Sequence, residues 1–247
     1  MRLNVVLAAS ARLAASLVAF AAAPALAGDA AQFDPIGFSE DGRYFGYEEY
    51  GIQDGSGFPY DNIYVVDLIA DKWVGKPVRV RLDDETAGLP AARQQAMEQA
   101  KAMLAKVALV TPAEILLLNA DGEIGADGTE VTFGMFGNGL TTLGDPLTLT
   151  LSTFASTTTE PCASYGMDDP VKGFAVTLTD NTGNSAEIHR DASVPASRGC
   201  VSDYRLHAVI APFPAGSSAS PMVGVISAYS LGFEGPDRRF VTIPIAP

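Results

Sequence analysis

Carboxylates are the residues of this chain with the number and spacing to do chemistry. Glu48 and Glu49 stand together at the end of an aromatic stretch, Arg43 to Tyr50, and Asp54 and Asp61 follow. Two carboxyl groups about 5–10 Å apart are what glycoside hydrolysis requires. Adjacent residues of a strand point to opposite faces, so Glu48 and Glu49 cannot form a dyad without a bulge, and Glu48 would need Asp54 or Asp61 as its partner. Asn119, Asp121, Asp127 and Glu130 have the oxygen spacing of a calcium loop ending in a twelfth-position Glu, but Ile124 stands where the sharp turn demands Gly. Two Asp-Gly turns in an acidic loop explain that stretch more simply. Glu187, His189 and Asp191 share a face of one strand, as metal ligands would and as any outward polar face does. No cofactor is implied.

Other chemistries lack their motifs. Gly37-Phe38-Ser39-Glu40-Asp41 lacks the second Gly of a nucleophile elbow and precedes a strand rather than a helix. There is no HExxH, no GxxxxGK and no GxGxxG. The strongest candidate site is therefore a binding one, the stretch Gly51 to Asp61 with its flanks. Tyr50, Phe58 and Tyr60 offer flat apolar faces there, and Gln53, Asp54 and Asp61 offer hydrogen-bond partners. That mix suits a saccharide or a peptide, and it also suits a loop packing on its own strands.

The elements that position these residues follow from periodicity. Ser39-Glu40-Asp41-Gly42 is a turn, and Arg43–Tyr50 and Asn62–Leu68 read as strands rich in aromatic and β-branched residues. Val78, Val80 and Leu82 face inward on the next strand, with Arg79 and Arg81 outward. A helix over 90–107 follows, opened by Pro90, with an apolar stripe of Met97, Ala100, Leu104 and Val107 and a wet side of Arg93, Glu98 and Lys101. Thr111-Pro112-Ala113-Glu114 has the form of a capping box. Ile115–Leu118 then fits a short helix or a buried strand, and the cap favours the helix.

Beyond a Gly- and Asp-rich stretch at 119–145, a soft boundary, alternation takes over. It runs through Val131–Phe133, Leu147/Leu149/Leu151, Phe174/Val176/Leu178, Tyr204/Leu206/Ala208/Ile210 and Val241/Ile243/Ile245, while Met222–Ser230 is apolar on both faces. The expected fold is mainly β, of antiparallel sheets in a sandwich- or partial-propeller-like arrangement, with one main amphipathic helix.

Phe38-Ser39-Glu40-Asp41-Gly42-Arg43-Tyr44-Phe45 with Ile63-Tyr64-Val65-Val66-Asp67-Leu68 resembles one blade hairpin of the TolB-type, WD40-like propeller repeats. A complete propeller needs several such units, and a faint second echo is found only in Gly235–Phe240. The mature chain as a whole resembles a bacterial family of predicted secreted proteins, domain of unknown function 2259. The resemblance is carried by Glu48-Glu49-Tyr50-Gly51, Gln53 to Tyr60, Arg79-Val80-Arg81, Asp83-Asp84-Glu85, Val194-Pro195, Ser197-Arg198, Cys200, Tyr204-Arg205-Leu206 and Gly232-Phe233-Glu234-Gly235. It implies export and brings no activity, substrate or catalytic residue.

Export is also written in the first 27 residues. Arg2 and Arg12 supply the positive segment, Leu13 to Ala23 the apolar core and Ala25-Leu26-Ala27 the cleavage site, so residues 1–27 read as a signal peptide and 28–247 as one secreted β-rich domain. No Cys follows the site, which leaves lipid anchoring unsupported, and no integral membrane segment is expected after cleavage. Removing two Arg from 16 basic residues leaves 14 against 29 acids, a net charge near −15. That balance repels phosphate backbones and excludes nucleic acid as a partner. The two cysteines, Cys162 and Cys200, read as a disulfide in an oxidising compartment, periplasmic or extracellular. The leading function is a non-catalytic binding or interaction module for a protein, a small molecule or a saccharide, and the alternative is a carboxylate-based hydrolase.

Overall fold

The computed structural model describes residues 28–122, 127–136, 143–215 and 221–245. The signal segment 1–27, residues 123–126 of the acidic stretch and residues 216–220 of the Pro/Ser loop lie outside them. Fourteen strands and one α-helix are described. β1 (Gln32–Ser39), β2 (Tyr44–Ile52), β3 (Pro59–Asp67), β4 (Lys72–Trp73), β5 (Val78–Arg81) and, after the helix α1 (Leu89–Val107), β6 (Leu109–Thr111) form a front sheet. Its order is β4-β3-β2-β1-β6, with β5 also on the free edge of β3. A middle sheet runs β14 (Asp237–Ile245), β13 (Met222–Ser230), β12 (Val201–Pro212), β7 (Ala113–Leu118). A back sheet runs β11 (Ser185–Arg190), β10 (Lys172–Thr179), β9 (Leu143–Ala155), β8 (Glu130–Phe136). Every ladder within the sheets is antiparallel.

The layers follow from which faces are apolar. β13 is buried along most of its length, as its two-sided apolar sequence requires, because the middle sheet is covered on both sides. Val209, Met222 and Ile226 pack toward the back sheet with Leu149, Phe174 and Val176. Ile210, Val223 and Val225 pack toward the front sheet with Phe38, Phe45 and Tyr47. The outer face of the front sheet carries α1, where Ile63 and Val80 meet Ala92, Ala96 and Ala100. The order is thus helix, front sheet, middle sheet, back sheet, an antiparallel sandwich of three sheets.

Cys162 and Cys200 form the expected disulfide, spanning 38 positions. Cys162 lies in a short 3-10 turn after β9 and Cys200 just ahead of β12, so the bond ties the back sheet to the middle sheet inside their shared core.

Four local expectations change. Ala113–Leu118 is strand β7, paired with β12 from Ala113↔Pro212 to Leu118↔Ala208. Tertiary pairing overrides the capping-box pattern, since the short apolar run gains a full ladder in the sheet and only one turn as a helix. In β12 a bulge between Leu206 and Ala208 reverses the alternation, so Tyr204 and Leu206 face the back sheet while Ala208 and Ile210 face the front. The helix begins at Leu89, and its buried stripe is Ala92, Ala96, Ala100 and Val107, with Met97 exposed and Leu104 half-buried. Three alanines in that stripe let the helix axis come close to β3, and the large side chains flank the contact instead of filling it. Finally, β2 and β3 run on to Ile52 and Pro59, which shortens the loop between them to Gln53–Phe58. Gly55 and Gly57 close it at φ of +78° and +70°, where a side chain would be strained.

The close helix contact gives a test. Ala96→Leu forces bulk into a filled interface and should cost about 1–3 kcal/mol, whereas Met97→Leu on the exposed flank should leave chemical denaturation unchanged. Equal midpoints for the two variants would mean that α1 does not sit down on β3 as described.

Candidate functional site

The two faces of β2 and β3 do different things, and alternation separates them. On the helix face lie Glu48, Tyr50 and Asp61, with Glu48 opposite Ile63 and Tyr50 opposite Asp61 in the ladder. Arg93, expected on the wet side of the helix, reaches over the sheet instead. Its guanidinium pairs with Glu48, pairs with Asp34 at 2.9 Å, and lies 4.0 Å from the centre of the Tyr50 ring. The Tyr50 hydroxyl donates to Asp34 at 3.0 Å. Beneath this cluster Asp61 is fully buried, and neither of its carboxyl oxygens has a hydrogen-bond partner of ordinary geometry. Burial, and after it the neighbouring Glu48 carboxylate, push the Asp61 carboxyl up to about 8. A neutral Asp61 adds no second negative charge beside Glu48, which leaves Arg93 to answer the Glu48 and Asp34 carboxylates. Two carboxyl groups do meet here, but under a helix and out of contact with water.

The opposite face looks onto the middle sheet. Rows of cross-strand neighbours cover it: Arg79, Asn62, Glu49 and Phe33 in one, Tyr64 and Tyr47 in the next, Trp73, Val66, Phe45 and Phe38 in the third. β5 ends and β4 begins on the same edge of β3, so the edge beside Tyr64 stays open between Arg79 and Trp73. Against this face stand Arg239, Phe240 and Thr242 of β14, His189 of the back sheet's edge strand β11, and Arg198 of the short 3-10 turn that precedes β12. Together they enclose a cleft of about 470 Å³. An annex of about 230 Å³, lined by Gln53, Tyr60 and Arg81, shares Asn62, Arg79 and Arg239 with it.

Buried charges hold the cleft in shape. Glu49 is 1% exposed and accepts from the Phe240 backbone N–H at 2.7 Å and from Asn62 Nδ2 at 3.2 Å. Burial raises its carboxyl above the ordinary range, while Arg239 and the two donors pull the other way. Arg239 in turn pairs with the buried Asp29 at 2.6 Å, and Asp29 accepts from the Tyr60 hydroxyl at 2.7 Å. At the other wall Asp191 accepts from Arg198 at 2.7 Å and lies 3.2 Å from His189 Nε2. Arg79 and Lys72 make no ion pair among the described residues. Tyr47 and Tyr64 stack, with centroids 4.8 Å apart and planes 13° from parallel, and the half-exposed Trp73 indole leans against Tyr64 at 5.5 Å and 50°.

The residues singled out from sequence are thus divided. Tyr60 lies opposite Gly51 and on the cleft face, where its hydroxyl would sit 2.7 Å from any Cβ added at Gly51. Gln53 and Tyr60 line the annex, and Phe58 lies half-buried beside Arg81. One carboxyl oxygen of Asp54 is enclosed without a partner. Tyr50 and Asp61 belong to the helix face. In the acidic stretch Asn119 donates to the Asp127 and Leu206 carbonyls, Asp121 pairs with Arg238 at 2.6 Å, Asp127 accepts from Thr129, and Glu130 accepts from Thr150. No group of three or more His, Cys, Asp or Glu among the described residues could hold a metal ion. Glu187 pairs with Arg190, apart from His189 and Asp191. Arg79, Trp73, Asn62 and Arg239 were not anticipated. The signal for Trp73 was available, since it is the one tryptophan of the chain and stands in an otherwise polar turn.

Asp61 carries a pH prediction. Its folded value lies above its unfolded one, so its contribution to stability is present below about pH 4 and is lost progressively as pH rises through about 8. Asp61→Asn keeps the size and neutrality of the protonated side chain without a titrating proton. Its melting temperature should change less than that of the natural protein between about pH 6 and 9. Parallel curves would mean that Asp61 is not the buried proton.

No curated protein matches the sequence. No helix among the described residues is long and apolar enough to cross a membrane. The family model for predicted secreted proteins of domain of unknown function 2259 matches residues 46–246, from the middle of β2 past the last strand, and the chain belongs to that family.

Proposed function

We propose that this is an exported binding module that takes a small ligand of saccharide type into the cleft between the front and middle sheets, in the periplasm or outside the cell. The observation that carries the reading is the half-exposed Trp73 indole, tilted against the stacked Tyr64 and Tyr47, in the lining of a cavity of about 470 Å³. A large apolar ring that is not covered by protein inside a cavity offers its face to a guest. Asn62, Arg79, Ser197 and Arg239 surround it with hydrogen-bonding groups, the mixture that orients a sugar on an aromatic plate. Gln53 and Tyr60 extend the same lining through the annex.

Binding rather than hydrolysis is supported by where the carboxyl groups lie. Glu48 and Asp61 are together but sealed beneath α1, and Glu49 inside the cleft is engaged by the Phe240 N–H and Asn62. A glycosidase needs two carboxyl groups free to reach one bond.

Trp73→Ala tests the reading. Trp73 leans on Tyr64 from the edge of the sheet and is 45% exposed, so the loss of its ring should leave the melting temperature within a few degrees of the natural value. Calorimetric binding of glucose, glucuronate or cellobiose should be lost with it. Retention of binding by the variant would move the site elsewhere, the loop Gln53–Phe58 with Phe233 against Gly55 being the next surface to examine.

A further inference from the structure

We infer that the ligand is an anionic saccharide, one bearing a carboxylate or phosphate group on a pyranose ring, with Arg79 as the residue that selects the charge; this rests on the cleft reading above. The chain is strongly acidic, with formal net charge −13. Its cleft reverses that sign. Lys72, Arg79, Arg198 and Arg239 line the main cavity against Glu49 and Asp71, and Arg81 joins them in the annex with Asp29. Five bases against three acids reverse the balance of a chain with 16 bases and 29 acids.

Pairing divides these five into two kinds. Arg239 is held by Asp29, Arg198 by Asp191 and Arg81 by Asp83, so their charges are answered within the protein. Arg79 and Lys72 are not answered among the described residues. Arg79 stands on the cleft face opposite Asn62, the Asn62 amide is turned to Glu49, and the guanidinium lies near the Tyr64 hydroxyl, which burial keeps protonated. A planar guanidinium with an unfilled donor edge, at the rim of a cavity, matches a carboxylate or phosphate two bonds at a time.

Spacing adds the sugar. Arg79 is opposite Asn62 and Trp73 is opposite Val66, four positions further along β3. Four strand residues span about 13 Å, the reach of an anion at Arg79 carried on a disaccharide whose far ring meets the Trp73 indole. A lone inorganic ion would use only one end of this arrangement. A neutral sugar would leave Arg79 desolvated beside it without a partner, which is unfavourable.

The single tryptophan makes the test site-specific. Glucuronosyl-glucose, cellobiose 6′-phosphate and cellobiose, each of two rings, are titrated separately at low salt while Trp73 fluorescence is read. At least one of the two anions should half-saturate at a concentration about tenfold or more below that for cellobiose, the difference expected of a charge-assisted pair. In Arg79→Gln the preference should vanish with the melting temperature unchanged, since Arg79 is exposed and makes no ion pair among the described residues, and Arg79→Lys should keep part of it. A response to cellobiose equal to that of both anions, or a preference that survives Arg79→Gln, overturns this inference and leaves the cleft as a neutral-sugar site. No change of Trp73 emission with any of the three up to about 10 mM, weaker than any specific site of this size, overturns the cleft reading along with it.

Discussion

Glu49 is the constraint on which the two working faces of this protein depend. It is a carboxylate with almost no contact with water, placed in the centre of an aromatic face, and burying such a group costs several kcal/mol unless its oxygens are filled. They are filled from the other side of the interface, by the backbone N–H of Phe240 on β14, and from its own sheet by Asn62. The front and middle sheets therefore cannot slide or part without stranding a charge. Arg239 extends the same clamp to Asp29 and Tyr60, near the start of the described chain. A purely apolar interface of Phe33, Tyr47 and Phe240 would close on itself. Polar groups that must be met at fixed points hold the sheets at a set separation and leave space beside them.

Alternation along β2 then keeps two kinds of electrostatics apart. Glu48, one residue from Glu49, points to the helix, where Arg93 and a protonated Asp61 settle its charge in a closed cluster. The strand thus uses one face to dock α1 and the other to build the cleft. The functional reading follows from that division, because the carboxyl groups that meet are sealed and the cations left open are on the cleft side.

Much of this was legible in the residues. Period-two alternation located most of the strands, the apolar character of Met222–Ser230 on both faces announced a central strand, and the parity of Glu48 and Glu49 placed them on opposite sides. What was not legible depends on long-range pairing. Thr111–Glu114 carries a helix-start pattern that only the ladder with β12 overrules. The bulge at His207 leaves no local mark, yet it exchanges the faces of everything after it in β12. The alanine stripe of α1 was hidden by the larger Met97 and Leu104, since hydrophobicity alone ranks them above Ala92 and Ala96. The cleft itself is assembled from residues 47–79, 189–198 and 228–242, and no spacing within one segment can reveal that Arg79 and Arg239 share a cavity.

Trp73 stands in a cleft whose lining carries more bases than acids, opposite to the balance of the protein around it. Collisional quenching of its fluorescence by iodide and by caesium, each relative to free N-acetyltryptophanamide at low ionic strength, reads both properties without a ligand in hand. The net charge of −13 favours caesium at an average surface position. Iodide should nevertheless be the better quencher, and added salt should remove its advantage. Caesium quenching equal to or above that of iodide, or an indole that neutral acrylamide cannot reach, would contradict this placement of Trp73.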